Sequence, residues 1–228
     1  MRLPQPPLLV ITDRRRARRP LPELLEELFA AGVRWVMVRE KDLPEAELAS
    51  LVGEIVRRAR VWGAAVVVNG HAGVAAACGA DGVHLPQGFS VAEARRLVGP
   101  DRWVGVSAHN LEEAQRAAAA GADYITLSPI FTPLSKPGYG PPLGLEALRQ
   151  VARAMPIPVI ALGGITPANA RSCLEAGAAG VAVLGGLMEA TDPQEAARAY
   201  FQAMSPLTSN ESDSGTHLKT LGGQYPRS

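Results

Sequence analysis

The sequence predicts an α/β protein made of a single (β/α)8 TIM barrel. Short apolar runs alternate eight times with longer amphipathic stretches, which is typical of parallel strands joined by helices. The runs are apolar almost throughout, as expected for strands buried on both faces. The chain of 228 residues fits one barrel of about 200–250 residues. We expect the barrel over residues 1–205, and eight regular units favour closure over an open doubly wound sheet.

The strands and helices alternate along the chain. The predicted strands are Leu8–Thr12, Trp35–Arg39, Ala65–Val68, Gly82–Leu85, Trp103–Val106, Tyr124–Leu127, Val159–Leu162 and Gly180–Leu184. The predicted helices are Leu21–Ala31, Glu45–Trp62, Ala72–Cys78, Val91–Val98, Leu111–Ala120, Leu145–Ala154, Pro167–Ala176 and Pro193–Met204. Segments such as Gly121-Ala122-Asp123 recur between a helix end and the next strand, where glycine ends the helix. We interpret these repeats as structural.

The composition is ordinary for a globular protein, with 47% hydrophobic and 20% charged residues. A net charge of +1 gives no electrostatic footprint for nucleic acid or an anionic membrane, so we expect neither partner. No apolar run is long enough for a membrane span, and the N-terminus lacks a signal-peptide pattern. The two cysteines have no metal-like spacing, which fits a reducing cytoplasm.

Two features lie outside the barrel pattern. Residues 206–228 are rich in Ser, Thr, Gly and Asn, and we expect them to form a disordered C-terminal tail. Apolar residues on the outer helices permit a homo-oligomer without requiring one. The basic run Arg14–Arg19 is interpreted as a solvated loop, with contact to a ligand phosphate as the alternative.

The functional residues of such a barrel lie in the loops that follow the strands. Arg39 and Lys41 follow the second strand, and strand alternation puts both on one side and Glu40 on the other. Two cations there can clamp phosphate or pyrophosphate, and arginine offers a bidentate fork. The alternative is an exposed charged loop, but the position at the barrel mouth favours binding.

Polar side chains accompany the third, fourth and fifth strands. Asn69 can hydrogen-bond a heterocycle, although Asn69-Gly70 is also a common turn pair. His84 is either a general acid–base group or a satisfied structural histidine. Ser107 and His109 are two residues apart and can share a face. Because the sequence identifies no acid partner for a hydrolytic triad, hydrogen bonding to a ligand is favoured.

The loops after the last three strands complete the predicted site. Residues 128–138 form a long loop that predicts a lid, with a rigid surface loop as the alternative. This loop carries Ser135 and Lys136, and Lys136 is a good phosphate partner. The pairs Gly163-Gly164 and Gly185-Gly186, the second preceded by Leu184, follow the seventh and eighth strands. Backbone phosphate sites form at these positions in this fold, because glycine lets amide groups approach the ligand closely.

Several motifs together carry a family resemblance. In chain order they are Ile11–Arg14, Val38–Lys41, Asp81–His84, Gly105–His109, Gly121–Tyr124, Ser128–Phe131 and Ile160–Thr166. Their order and barrel positions resemble the thiamine phosphate synthase/TenI family, and the match covers Leu8–Met204.

The resemblance implies a reaction and a set of roles. Synthases of this family join hydroxymethylpyrimidine diphosphate to thiazole phosphate and release pyrophosphate, which Mg²⁺ and cationic residues stabilise. The residues implied to hold pyrophosphate are Arg39, Lys41 and Lys136. Those implied to orient the pyrimidine are Asn69, Ser107 and His109. Those implied to hold the thiazole phosphate are Gly163, Gly164 and the backbone near Leu184 and Gly185.

The chain also departs from the family pattern. Met37 stands where synthases carry Gln, and Gly70 and Phe89 stand where they carry metal-binding Asp residues. The lid pattern Thr-x-Thr-Lys becomes Pro133–Lys136. Mg²⁺ prefers carboxylate oxygens, so we expect Mg²⁺ to bind weakly as a cofactor. TenI-type tautomerases use a His just after the sixth strand, where this chain has Ser128-Pro129.

The sequence therefore predicts a cytoplasmic, TenI-like protein of thiamine biosynthesis that binds thiazole phosphate or thiamine phosphate. We expect little synthase turnover, and the candidate catalytic residues are His84, His109 and Lys136. The first alternative is an active synthase, a transferase, with substitute metal ligands among Asp13, Glu40 and Asp42. Further alternatives are a non-catalytic regulatory barrel and an unrelated phosphate-binding barrel enzyme.

Overall fold

The structure, a computed structural model, describes residues 2–132 and 141–205 and contains one closed parallel barrel. Its strands, paired in chain order with β8 against β1, are β1 (Leu8–Ile11), β2 (Trp35–Val38), β3 (Ala65–Asn69), β4 (Gly82–Leu85), β5 (Trp103–Ala108), β6 (Tyr124–Leu127), β7 (Val159–Leu162) and β8 (Gly180–Val183). This confirms the predicted fold class. Ser135, Lys136 and the predicted tail lie outside the described residues, so those predictions stay untested.

Helices surround the barrel. They are α1 (Leu21–Ala30), α2 (Glu45–Val61), α3 (Ala72–Ala77), α4 (Val91–Val98), α5 (Leu111–Ala119), α6 (Gly144–Ala154), α7 (Pro167–Glu175), α8 (Gly185–Met188) and α9 (Pro193–Met204). Each long helix buries one apolar face, as α2 does with Leu48, Val52 and Ile55. Within the described residues, no helix is both long and apolar enough to cross a membrane.

The sequence pattern was wrong at several element boundaries. The strand β5 continues to Ala108, because Ser107 and Ala108 still pair with β6. The strand β3 likewise includes Asn69, which pairs with His84. The one-turn helix α8 was missed, since two leading glycines disfavour a helix. Its first turn forms all the same, with the Met188 N–H donating to the Leu184 carbonyl over 3.1 Å.

Strand alternation produces two apolar clusters. Leu8 and Val10 face the helices, whereas Leu9 and Ile11 face the barrel interior. The interior cluster consists of Leu9, Ile11, Trp35, Met37, Val67, Trp103, Tyr124, Ile160 and Ala182. Side chains therefore fill the barrel, as is usual for eight strands.

An aromatic plug closes the amino-terminal half of the barrel. Trp35 packs edge-to-face on Trp103 and Tyr124, with ring centroids 5.9 and 5.0 Å apart. Gly105 makes room for it, since a Cβ there would lie 2.1 Å from the Tyr124 ring. Because these aromatic residues begin their strands, space for a ligand remains at the opposite, carboxyl-terminal end.

The glycines of the recurrent Gly-Ala-Asp segments end helices as predicted, with φ of +68° at Gly79 and +91° at Gly121, and the aspartates add a second structural role. Asp81, before β4, accepts a hydrogen bond from the Val66 N–H over 2.7 Å. Asp123, before β6, accepts from the Val104 N–H over 2.7 Å. Each carboxylate thus ties the start of one strand to its neighbour, at the end of the barrel away from the loops that follow the strands.

Candidate active site

One cavity of about 690 Å³ opens at the carboxyl ends of the strands. It brings together Arg39, Lys41, Asn69, Ser107, His109, Gly163, Gly164, Leu184 and Gly185 from the predicted set. These residues come from β2, β3, β5, β7 and β8 or from the loops after them. The position agrees with the rule that barrel sites lie at this end. His84 is not among the lining residues.

The cationic end of the cavity consists of Arg39 and Lys41, just after β2. Glu40, between them in the sequence, is only 4% exposed and is not among the lining residues of this cavity. Its carboxylate accepts the Thr12 hydroxyl at 2.6 Å and the Arg14 N–H at 3.0 Å. Thr12 in turn accepts the Arg39 N–H at 3.0 Å. The buried glutamate thus fixes the backbone that presents the two cations.

The acidic residues beside this end are held by arginine. The Arg14 guanidinium donates to both Asp42 oxygens at 2.7 and 2.6 Å and to Glu40 at 3.3 Å. Hydrogen bonding from Arg14 lowers the pKa of Asp42 to about 2. Asp13, Glu40 and Asp42 line a second pocket of about 240 Å³ with Arg15, Arg39 and Lys41. Its positive charges match its negative ones, which disfavours a bound cation.

These residues do not fit the Mg²⁺ site that the family resemblance implies. Among residues 2–132 and 141–205, no group of three His, Cys, Asp or Glu side chains could hold a metal ion. Gly70 and Phe89 have no side-chain oxygen, and the suggested substitutes Glu40 and Asp42 are engaged by Arg14. The described part of the chain therefore supplies no carboxylate cluster of the kind Mg²⁺ prefers.

The wall between the two ends of the cavity is polar, and His84 supports it from beneath. His84 is 2% exposed, and its Nε2 lies 3.0 Å from the Ser107 hydroxyl and 3.3 Å from that of Thr126. Its Nδ1 lies 3.1 Å from the Tyr124 hydroxyl. Burial lowers the pKa of His84 to about 3, so the ring is neutral at pH 7.

The network determines which way its hydrogen bonds run. Burial raises the pKa of Tyr124, so its hydroxyl keeps its proton. Among the described residues His84 Nδ1 is the one hydrogen-bond partner of this buried hydroxyl, so the hydroxyl donates to it. The neutral ring then carries its proton on Nε2 and donates to Ser107. Ser107, accepting from beneath, can direct its own hydrogen into the cavity. His84, predicted as a catalytic candidate, is thus placed to orient Ser107 rather than to touch a ligand.

His109 differs from His84, because it lines the cavity and has an acidic partner. Its Nδ1 lies 3.1 Å from Glu113, and its backbone N–H donates to the same carboxylate oxygen over 2.7 Å. Burial raises the pKa of Glu113, but hydrogen bonds from His109 outweigh it and the net pKa is lowered. A carboxylate on Nδ1 orients the ring and leaves Nε2 for a ligand. Glu113 lies one helical turn after His109 and was not identified from the sequence as its acidic partner.

The end of the cavity opposite the cationic end is lined by Gly163, Gly164, Gly185 and Gly186, and we call it the glycine end. Close backbone contact shapes it. Gly163 and Gly164 have φ values of +96° and +64°. The Ile130 N–H donates to the Leu162 carbonyl over 2.9 Å, and the Phe131 N–H to that of Gly163 over 3.0 Å. A Cβ on Gly164 would lie 2.8 Å from both the Phe131 Cβ and the Thr132 carbonyl oxygen. These glycines let the loop after β6 lie directly on the loop after β7.

Three further residues line this end that the sequence did not single out as site residues. Arg16 and Glu189 form an ion pair of 2.6 Å across it. Tyr200, from α9, donates its hydroxyl to the Ile165 carbonyl over 3.1 Å, and burial raises its pKa to about 12. Only the tertiary fold shows these residues together, although the basic run after β1 was a signal for Arg16.

Comparisons with known proteins agree with this geometry. A family model described as thiamine monophosphate synthase (TMP-TENI) matches residues 8–187. The chain belongs to this family. Other members include thiamine-phosphate synthases of Roseiflexus sp. strain RS-1 and Roseiflexus castenholzii, which are 40% and 42% identical. The first alignment covers 90% of this chain and 88% of the relative, and the second covers 83% and 84%.

A solved structure supports the same assignment. The thiamine phosphate pyrophosphorylase of Pyrococcus furiosus superposes with a TM-score of 0.79 at 33% identity, covering 86% of this chain and 94% of that one. The resemblance inferred from the motifs is thereby confirmed, and the protein is a TIM barrel of thiamine biosynthesis in the thiamine monophosphate synthase family.

Proposed function

We propose that the protein is a thiamine-phosphate synthase, which joins hydroxymethylpyrimidine diphosphate to thiazole phosphate and releases pyrophosphate. The observation that carries the proposal is one cavity with Arg39 and Lys41 at one end and the glycine pairs at the other. Two ends of this kind suit two phosphorylated substrates. The names of the relatives that are 40% and 42% identical favour this reading over a TenI-like protein with little turnover.

The proposed reaction breaks the bond between the pyrimidine methylene carbon and the diphosphate oxygen. The thiazole nitrogen donates its electron pair to that carbon, and the electrons of the broken bond leave with pyrophosphate. Arg39 and Lys41 stabilise the charge that develops on the leaving group. Ser107 and Asn69 hold the ring, and the glycine end holds the thiazole phosphate, so that both reacting atoms meet. Lys136 and Ser135 join the diphosphate end by family resemblance alone.

The test is a synthase assay with the purified chain. Both substrates are incubated with the protein, with and without Mg²⁺, and thiamine phosphate and pyrophosphate are measured together. We expect both products in equal amounts. If neither forms at any Mg²⁺ concentration, the synthase proposal is wrong and a binding role takes its place.

Restoring the family's carboxylates sharpens this assay. A Cβ on Gly70 would approach nothing nearer than Pro86 Cδ at 3.9 Å, and Phe89 is 55% exposed, so both positions have room for Asp. The φ of +78° at Gly70 strains any side chain, and Asp is among the residues that tolerate this conformation best, so the variant should fold with a loss of about 1 kcal/mol. We expect the Gly70→Asp/Phe89→Asp variant to bind Mg²⁺ more tightly than the parent chain by calorimetry. Equal Mg²⁺ affinity would show that carboxylates at these two positions do not form a metal site in this chain.

A second candidate is isomerisation of the aromatic thiazole precursor, as in TenI-type proteins. His109 favours it, because the ring lines the cavity and Glu113 holds its Nδ1. The test compares isomerisation by the parent chain with that of His109→Gln and His84→Gln. Loss in the first variant alone would assign the proton transfer to His109, and equal rates in all three would remove both histidines as proton carriers. Absence of isomerisation by the parent chain would remove this candidate.

A further inference from the structure

Three arginines of the loop between β1 and α1 contact the segment after α8. Arg18 Nε donates to the Glu189 carbonyl over 2.7 Å, and Arg19 Nη2 to the Thr191 carbonyl over 3.1 Å. Arg16 instead contacts the Glu189 side chain, and both of these side chains line the main cavity. The sequence interpretation treated this basic run mainly as a solvated loop. The contact between Arg16 and Glu189 instead lies at the glycine end of the site.

The Arg16 guanidinium contacts Glu189 along one edge and Gly185 through one face. Its Nε and Nη2 lie 2.7 and 2.6 Å from Glu189 Oε1. Its Nη2, Cζ and Nη1 lie 2.9, 3.2 and 3.4 Å from the position where a Cβ on Gly185 would stand, so the plane of the group lies over this glycine. The Nε–Nη2 edge is therefore held by the carboxylate, and the Nη1–Nη2 edge is directed at neither Glu189 nor Gly185. Guanidinium has five N–H donors in a fixed plane, so two edges can bind two partners at once.

We propose that Arg16 recognises the ester phosphate of the substrate bound at the glycine end, with Glu189 holding its guanidinium in place. This inference rests on the proposed function, because that function puts a phosphate monoester beside Gly185. The phosphate oxygens meet the Nη1–Nη2 edge while the Nε–Nη2 edge stays on Glu189. Arginine forms such bidentate contacts with phosphate, and its side chain here is only 26% exposed.

Glu189 makes the requirement for Arg16 stricter. Its carboxylate also lines the cavity and would repel a phosphate if Arg16 did not neutralise it. Removing only the arginine therefore removes an attraction and exposes a repulsion. Removing both charges removes the repulsion too, so Arg16→Gln/Glu189→Gln should bind phosphate better than Arg16→Gln alone.

The experiment is a calorimetric titration that needs no turnover. Thiazole phosphate and the thiazole alcohol without phosphate are each titrated into the parent chain, Arg16→Gln and Arg18→Gln. Arg18 is the matched control, because its side chain donates to the backbone carbonyl of the same glutamate and it is absent from the described cavity lining. We expect Arg16→Gln to lower the affinity for thiazole phosphate at least about tenfold and to leave the affinity for the alcohol unchanged. Arg18→Gln should change neither affinity. Equal affinity of the parent and Arg16→Gln for thiazole phosphate would overturn the proposal, as would equal weakening of both ligands.

Inorganic phosphate separates this inference from the proposed function. If the parent chain binds no thiazole compound, the proposed substrate is wrong, and the same three proteins are titrated with phosphate alone. If Arg16→Gln loses phosphate binding and Arg18→Gln keeps it, Arg16 remains an anion-binding residue. If the parent does not bind phosphate, or Arg16→Gln binds it equally well, Arg16 has no such role.

Discussion

The two ends of the cavity are built in different ways. At the cationic end, side chains reach into the cavity from a backbone fixed behind them by the buried Glu40. At the glycine end, the backbone itself forms the surface, and the loop after β6 lies within van der Waals contact of Gly163 and Gly164. Binding can therefore be changed independently of stability at one end of the cavity but not at the other. Substitutions at the cationic end should affect function alone, and substitutions at the glycine end should affect both.

The largest expected effect is on stability at the glycine end. Gly164→Ala should lower the free energy of unfolding by about 3 kcal/mol, because the left-handed backbone is strained and the new methyl group meets the loop after β6. Gly63→Ala is the control, with φ +61° against +64° and nothing within 4 Å of its Cβ, and should cost about 1 kcal/mol. Urea denaturation measures both. Equal losses would mean that the loop contact contributes nothing.

The next effect is on catalysis at the cationic end. Arg39→Gln should lower kcat/KM for the pyrimidine diphosphate by about 100-fold, because the leaving group loses a charged donor. Its free energy of unfolding should stay within about 0.5 kcal/mol of the parent's. Arg116→Gln on α5, an exposed ion-pair residue, should change neither quantity. A large loss of stability in Arg39→Gln would break the proposed separation between the two ends.

A third prediction concerns the wall between the ends. The pKa of His84 is about 3 in the folded chain against 6.5 ordinarily, so between these pH values only the unfolded chain takes up this proton. Stability is therefore lost as pH falls below 6.5, by up to about 1.4 kcal/mol per pH unit and about 2 kcal/mol by pH 5. His84→Gln should lack this contribution while keeping the other histidines. Parallel curves of unfolding free energy against pH would contradict it.

The smallest expected effect is that of the Ser107 hydroxyl. Ser107→Ala should raise the KM for the pyrimidine substrate about fivefold, the value of one neutral hydrogen bond of about 1 kcal/mol. If His84 acts through Ser107, the double variant with His84→Gln should show no further increase in KM. Additive effects would instead give His84 a separate role.

The sequence predicted the barrel well because each of its signals is local. A run of strand residues, an amphipathic helix and a helix-ending glycine such as Gly121 can each be recognised within a few neighbours. The glycine pairs after β7 and β8 were found in the same way. The close contact of Gly163 and Gly164 with the loop after β6 could not be inferred from those residues alone.

The missed features depend on distant partners. Arg16 and Glu189 are 173 positions apart, and Tyr200 reaches the site from the last helix. The roles of His84 and His109 depend on depth within the barrel, because His84 lies within β4 below the mouth, whereas His109 follows β5 at the mouth. Alternation gives the face of a strand but not the layer, so the sequence could not show that His84 lies too deep to line the cavity.

The aromatic plug also gives the protein an optical property. Two of the three tryptophans in the sequence, Trp35 and Trp103, lie inside the barrel with ring centroids 5.9 Å apart. Indole rings that are this close and rigidly crossed couple their electronic transitions. The near-ultraviolet circular dichroism should therefore carry a signal from the barrel interior that disappears when the strands separate. Unfolding of the barrel can then be followed without a label at a position remote from the ligand-binding loops.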